Sequence, residues 1–162
     1  MTDKNTEKLK FQLKLWATYW DQPPITEIQI NDGKIYKSEI TGTEDKPTVI
    51  EFEHTLEEGK EYNLKILRSG KNGKQTVMQG GKIIKDQMLH IQSIEIDEID
   101  IGALVYEGVY SPEYPEPWAT QQKFAGIELP KSFKNVTQLG HNGHWELKFA
   151  SPFYMWLLEN LY

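Results

Sequence analysis

The chain contains no cysteine. That excludes disulfides, thiolate nucleophiles and thiolate-ligated zinc, and it permits a reducing compartment. No run of apolar residues approaches the roughly 20 needed to cross a bilayer as a helix. Residues 1–8 are polar and charged, without the apolar core of a signal peptide. The sequence therefore predicts a product made in the cytoplasm, with no signal peptide and no membrane insertion. Basic residues are in deficit, with 18 Lys and Arg against 24 Asp and Glu, a net charge of −6. The overall field of such a chain attracts neither phosphate backbones nor anionic lipid, so nucleic acid is excluded as a first expectation. The acidic balance suits solubility, a cationic partner or a divalent cation. The glycine-bearing loop at residues 69–74 (SGKNGK) lacks the Gly-x-x-x-x-Gly-Lys-Ser/Thr spacing of a phosphate-binding loop. EF-hand spacing, internal repeats, linkers and low-complexity segments are absent as well.

What is present fits one globular domain over residues 1–162, with residues 1–7 as a flexible tail. Hydrophobic residues make up 38% and charged residues 26%, a composition able to build a core. Aromatics reach 12%, with eight Tyr and five Trp. That is more than a small core requires, so some rings are expected to face a partner.

Alternation of apolar and polar residues dominates the pattern. In residues 8–16 (KLKFQLKLW), Leu9, Phe11, Leu13 and Leu15 alternate with Lys8, Lys10, Gln12 and Lys14, the period of a strand with one buried face. Residues 25–30 and 35–40 alternate on either side of Asn31-Asp32-Gly33, which predicts a hairpin. Further strands are expected at residues 49–54, 61–68 and 104–110. Residues 82–101 hold the longest alternating stretch. Its phase slips between Ile96 and Ile99, where Asp97 and Glu98 stand in place of one residue, predicting a β-bulge or a tight turn. Residues 111–118 (SPEYPEPW) carry three prolines, which argues against a central strand. Residues 119–135 look irregular, with a turn of helix near 119–123. Residues 136–139 and 145–149 flank Gly140-His141-Asn142-Gly143, read as a second hairpin. Ser151-Pro152 then opens a short helix, with Ser as cap and Phe153, Trp156, Leu157 and Leu161 on one face. About eight or nine short strands at intervals of roughly ten residues predict an all-β fold: an antiparallel sandwich or jelly roll with a short C-terminal helix.

Four groups of residues could carry chemistry. Glu95, Asp97, Glu98 and Asp100 are the candidate calcium ligands, because calcium needs several hard oxygens and a bulge can turn neighbouring carboxylates to one side. The competing reading, a solvated outer face, is favoured. Tyr106, Tyr110, Tyr114 and Trp118, interleaved with prolines, form the candidate binding surface, since flat rings stack on sugar faces or on a partner's apolar side chains; a lid folded on the sandwich competes with it. His141 and His144 flank a turn but lack a third metal ligand. Paired carboxylates would suit a glycosidase, but no pair stands in an apolar pocket. The chain is expected to bind or assemble without catalysis.

Four strings taken together, FEHTLEEGKEYNLKILRSGK, IQSIEIDEIDIG, YSPEYPEPWA and LGHNGHWELKFASPFYMWLLE, resemble small proteins of tailed bacteriophages, especially those of marine bacteria. The resemblance spans about residues 49–162. It implies a virion-associated structural role, such as capsid decoration, neck, tail or fibre component, with other virion proteins or further copies of the chain as partners; it names no catalytic residue. YNLKILRSGK followed by an acidic strand is also similar to calcium-dependent xylan-binding sandwich modules. That similarity implies glycan binding assisted by calcium.

Overall fold

The computed structural model describes residues 5–72 and 74–161. Part of the tail expected at residues 1–7, and Gly73 of the predicted polar loop, lie outside that description. The strands are β1 (Thr6–Thr18), β2 (Ile25–Ile30), β3 (Gly33–Glu39), β4 (Thr48–Glu57), β5 (Glu61–Ser69), β6 (Val77–Gln79), β7 (Lys82–Lys85), β8 (Met88–Ile96) and β9 (Ile99–Asp100). A 3-10 turn, Gly102–Glu107, precedes β10 (Val109–Pro112), and α1 (Trp118–Phe124) precedes β11 (Phe133–Lys134), β12 (Gln138–Leu139), β13 (Gly143–Ala150) and α2 (Phe153–Leu161).

The strands form two antiparallel sheets and a separate ribbon. One sheet runs β12-β8-β1-β4, with β9 added to β8; the other runs β11-β10-β13-β5-β2-β3; among the described residues β6 pairs only with β7. The apolar phases of the strands meet between the two sheets. Leu9, Phe11, Leu13 and Leu15 of β1 face Tyr62, Leu64 and Ile66 of β5 and Trp145, Leu147 and Phe149 of β13 in one buried cluster. Each such side chain contributes about 1.5–3 kcal/mol by leaving water, which is why the period-two pattern decides the layering. The fold is an all-β antiparallel sandwich with a C-terminal helix, as the alternation predicts.

Local expectations fared unevenly. The first hairpin forms, and Asn31 and Asp32 both take positive φ (49° and 68°) in its turn. The slip after Ile96 is a tight turn, with Asp97 and Glu98 at φ 55° and 68° and β9 folding back on β8. A second slip went unseen: Lys14 pairs Ser93 but Leu15 pairs Ile91, so Gln92 is bulged. Residues 104–110 are not one strand. Leu104 and Val105 are buried from the 3-10 turn, and the strand begins only at Val109. Pro112 does belong to that strand, opposite Gly143.

Residues 136–149 are not a hairpin. β12 joins β8 in one sheet while β13 joins β5 and β10 in the other, so the chain crosses between layers at residues 140–142. Asn142 is there for its side-chain hydrogen bonds. Gly143, at φ 148°, is there because a Cβ would lie 2.3 Å from the Ser111 carbonyl oxygen. Phe153 and Leu157 of α2 pack inward as expected, with Trp156 half-buried, but Leu161 is exposed. The helix start is held by Glu7 rather than by Ser151. Glu7 accepts the Phe153 N–H at 2.8 Å and also the hydroxyl of buried Ser151. Thr6 and Glu7 therefore belong to β1 rather than to a tail.

Candidate functional site

The strand directions separate the residues singled out in the sequence. β1 runs antiparallel to β8, with Phe11 opposite Ile96 and Thr18 opposite Met88. Asp97 and Glu98, just past Ile96, therefore lie at the end of the sandwich that carries α2. Pro112 pairs with Gly143, and Gly143 with Arg68, at the other end. The acidic turn and the segment carrying Tyr114 and Trp118 thus sit at opposite ends. A calcium ion at the first cannot assist a ligand at the second.

The four acidic residues do not form a cation cage. Glu95 and Asp100 are cross-strand partners, while Asp97 and Glu98 are the turn itself. Asp100 Oδ1 accepts the Gly102 N–H at 2.8 Å, and Asp97 accepts the Tyr154 hydroxyl. Glu95 and Glu98 line a shallow groove with Glu51 and Glu53, but Glu51 accepts from Gln12 at 2.7 Å and Glu53 pairs with Lys8 at 2.9 Å. Among the described residues no group of three or more His, Asp or Glu side chains could hold a metal. Calcium needs six or more converging oxygens, and this arrangement does not offer them.

The aromatic series divides as well. Tyr110 is buried in the core, 3% exposed, with its hydroxyl donating to the His141 carbonyl at 2.5 Å and accepting the His141 N–H at 2.9 Å. Burial pushes its phenol up to about 12. It is removed from the binding surface. Tyr106 is exposed but lies in the 3-10 turn, before β10 begins its run toward the other end. Tyr114 and Trp118 stay together, ring centroids 6.0 Å apart, and both meet a residue the series did not include. His141 lies 5.2 Å from Tyr114 edge-on and 5.8 Å from Trp118 in a stacked arrangement. The Tyr114 hydroxyl donates to the Pro130 carbonyl and ties down the excursion between β10 and β11.

Beneath these rings is a polar network that sequence reasoning missed. Arg68 continues the inward phase of Tyr62, Leu64 and Ile66, and is 1% exposed. Its guanidinium donates to Asn142 Oδ1 at 2.9 Å and to the Gln87 carbonyl at 2.6 Å. Burial pushes it down to about 10. Asn142 Oδ1 also accepts the Lys71 N–H at 3.0 Å, and its amide donates to the Lys71 carbonyl at 2.8 Å. Lys71 Nζ bridges Asp86 at 2.8 Å and the Gly140 carbonyl at 2.6 Å. Burial alone would raise the Asp86 carboxyl; hydrogen bonds from Lys71, Thr76 and the Gln87 N–H outweigh it and hold it below the ordinary value. Burial, then the charges of Lys71 and Arg68, lower the His141 pKa from 6.5, so its ring is neutral at neutral pH. The period-two phase was the signal for Arg68; nothing local marked its partners.

His141 and His144 do not form a pair. His144 turns to the outer face of β13, 4.0 Å from Glu146. Glu146 and Glu107 share a groove there with Lys134, Lys148 and Trp156, but Glu107 is solvent-exposed and Glu146 stands across from Lys65.

No protein-family model matches the chain, and no curated protein matches it. Two solved structures are similar in shape. One is the selenomethionine form of vCBM60, from an account of circular permutation linking two families of calcium-dependent carbohydrate-binding modules. The match covers 86% of this chain and 89% of that one, at 7% identity and a TM-score of 0.47. The other is vCBM60 in complex with galactobiose, with coverage of 85% and 96%, 9% identity and a TM-score of 0.46. Likeness at this level assigns no ligand to this chain.

Proposed function

We propose that the chain is a non-catalytic binding module whose ligand is a carbohydrate, taken at the Tyr114–Trp118–His141 cluster without help from calcium at residues 95–100. The observation that carries this reading is an exposed Trp118 ring, 38% accessible, stacked beside a neutral imidazole on a loop made rigid from below. Rings held in place contribute stacking energy without paying much ordering entropy, and sugar C–H faces suit them. Calorimetry against a glycan panel tests it. A binding heat is expected that Trp118→Ala weakens about 10-fold or more and that chelator, or Asp97→Ala with Asp100→Ala, leaves unchanged. Absence of any glycan heat, or full binding by Trp118→Ala, refutes the reading.

The second reading is assembly, including a place in a virion. It is favoured by α2, where Tyr154, Met155, Leu158 and Leu161 are each about half exposed on one apolar face. Mass spectrometry of purified virions and the solution mass of the chain decide it.

A further inference from the structure

The β6–β7 ribbon is built unlike the rest of the molecule. Neither strand pairs with a third among the described residues. Its turn is Gly80-Gly81, at φ 61° and 79°, and a Cβ on either would meet nothing within 4 Å. The ribbon therefore projects into open space. Yet its side chains are apolar: Met78 is 57% exposed, Ile83 58% and Ile84 51%. Met78 and Ile83 are cross-strand partners on one face. Ile84, the next residue along, is bulged out of the register and has no cross-strand partner. At the ribbon's base Trp20 is 46% exposed, with its indole N–H donating to the Gln75 carbonyl at 2.8 Å and Lys85 Nζ 4.6 Å above its ring.

Charge is segregated in the same place. Residues 71–85 carry four lysines and no carboxylate in a chain of net charge −6. Lys71 is engaged by Asp86, but Lys74, Lys82 and Lys85 are exposed. Of the adjoining acids, Asp86 is paired with Lys71, while Asp21 accepts from the neutral Gln75 amide and keeps its charge, which leaves three exposed lysines against one carboxylate. Screening limits the reach of the distant acidic surface to about 8–10 Å, so a partner at the tip meets the local charge and not the net charge.

We propose that this ribbon docks the protein on an anionic lipid surface. A membrane interface answers both halves of this pattern, with an apolar interior for Met78, Ile83 and Ile84 and anionic headgroups for the exposed lysines beside them. The strand length gives a reach of about 10 Å, which matches the 5–10 Å depth of interfacial insertion. Trp20 and the lysines then stand at headgroup level, where an amphipathic ring and cations are stabilised. The contact is interfacial and does not span the bilayer, and it uses none of the Tyr114–Trp118–His141 cluster.

Sedimentation of the whole chain with vesicles tests the proposal, using phosphatidylcholine alone and phosphatidylcholine mixed with phosphatidylserine. Binding to the mixed vesicles is expected, weakened by salt. The Met78→Ser, Ile83→Ser, Ile84→Ser triple variant should lose about 100-fold or more, while Lys82→Gln and Lys85→Gln should each lose about five-fold. Fluorescence should shift to the blue on binding, less so in Trp20→Phe. The substituted side chains are exposed, so an unchanged melting temperature certifies the fold. Trp118→Ala should bind vesicles as the parent does, which separates this outcome from the sugar reading. Failure to sediment with the mixed vesicles, equal binding to neutral ones, or retention by the triple variant overturns the proposal. A concentration-dependent dimer that the triple variant abolishes, with no vesicle binding, overturns it in favour of self-association.

Discussion

Asn142→Ala removes a side chain that ties the crossing at residues 140–142 to the end of β5 and the loop after it. Its oxygen accepts from Arg68 and from the Lys71 N–H, and its amide donates to the Lys71 carbonyl. The bond from the buried cationic guanidinium is worth about 2 kcal/mol and the two neutral bonds about 1 kcal/mol each. The gross loss is therefore about 4 kcal/mol. Asn142 is only half-buried, so water can refill part of the site, and about 3 kcal/mol is the expected net cost. For a chain of this length that corresponds to a fall in melting temperature of about 6–12 °C. Urea unfolding followed by circular dichroism measures it, with the slope against denaturant unchanged if both states keep their compactness. The same variant should weaken any ligand at Trp118, because His141 precedes Asn142 and its backbone is held on Tyr110. A melting temperature within about 2 °C of the parent would refute the claim that the crossing at residues 140–142 is held by this amide.

Gly108→Ala should destabilise by about 2–3 kcal/mol in the same assay, because the new Cβ would lie 2.2 Å from the fully buried Trp145 indole. The backbone is not the obstacle, since φ there is −64°. Trp145→Phe should recover much of that loss in a double-mutant cycle, as it removes the ring that the methyl strikes together with a buried indole N–H that has no partner among the described residues. Acidification gives another test. Burial lowers His54 and His90 below 6.5, and burial with the neighbouring cations lowers His141. The unfolded chain then binds more protons than the native one between those values and 6.5. Stability should be complete above 6.5 and fall as the pH drops through the folded values, by up to about 1.4 kcal/mol per pH unit per histidine. His90→Gln should flatten that slope; an equal slope would refute the assignment.

The sandwich was legible because alternation is a local signal with a global consequence. Leu9, Phe11, Leu13 and Leu15 can share a buried face only in a strand, and a strand with one apolar face needs a second layer. The turns at Asn31-Asp32 and Asp97-Glu98 were legible for a similar reason, since few residues accept positive φ. The same logic misread Asn142-Gly143. An Asn-Gly pair looks like a hairpin turn, but here the glycine answers a close approach of Ser111 and the asparagine answers Arg68, both distant in sequence. The candidate site was half legible. Trp118 and Tyr114 were marked by their chemistry, whereas Tyr110 shares that chemistry and is buried.

The sequence alone determined the class of fold, the strand faces and the lack of thiol chemistry, because each depends on residue type and spacing. Only the tertiary structure decided which end of the sandwich each group occupies. It separated the acidic turn from the rings by placing them at opposite ends of antiparallel strands. It also brought His141 to Trp118 and Asn142 to Arg68, pairings set by which strands adjoin and not by any local pattern.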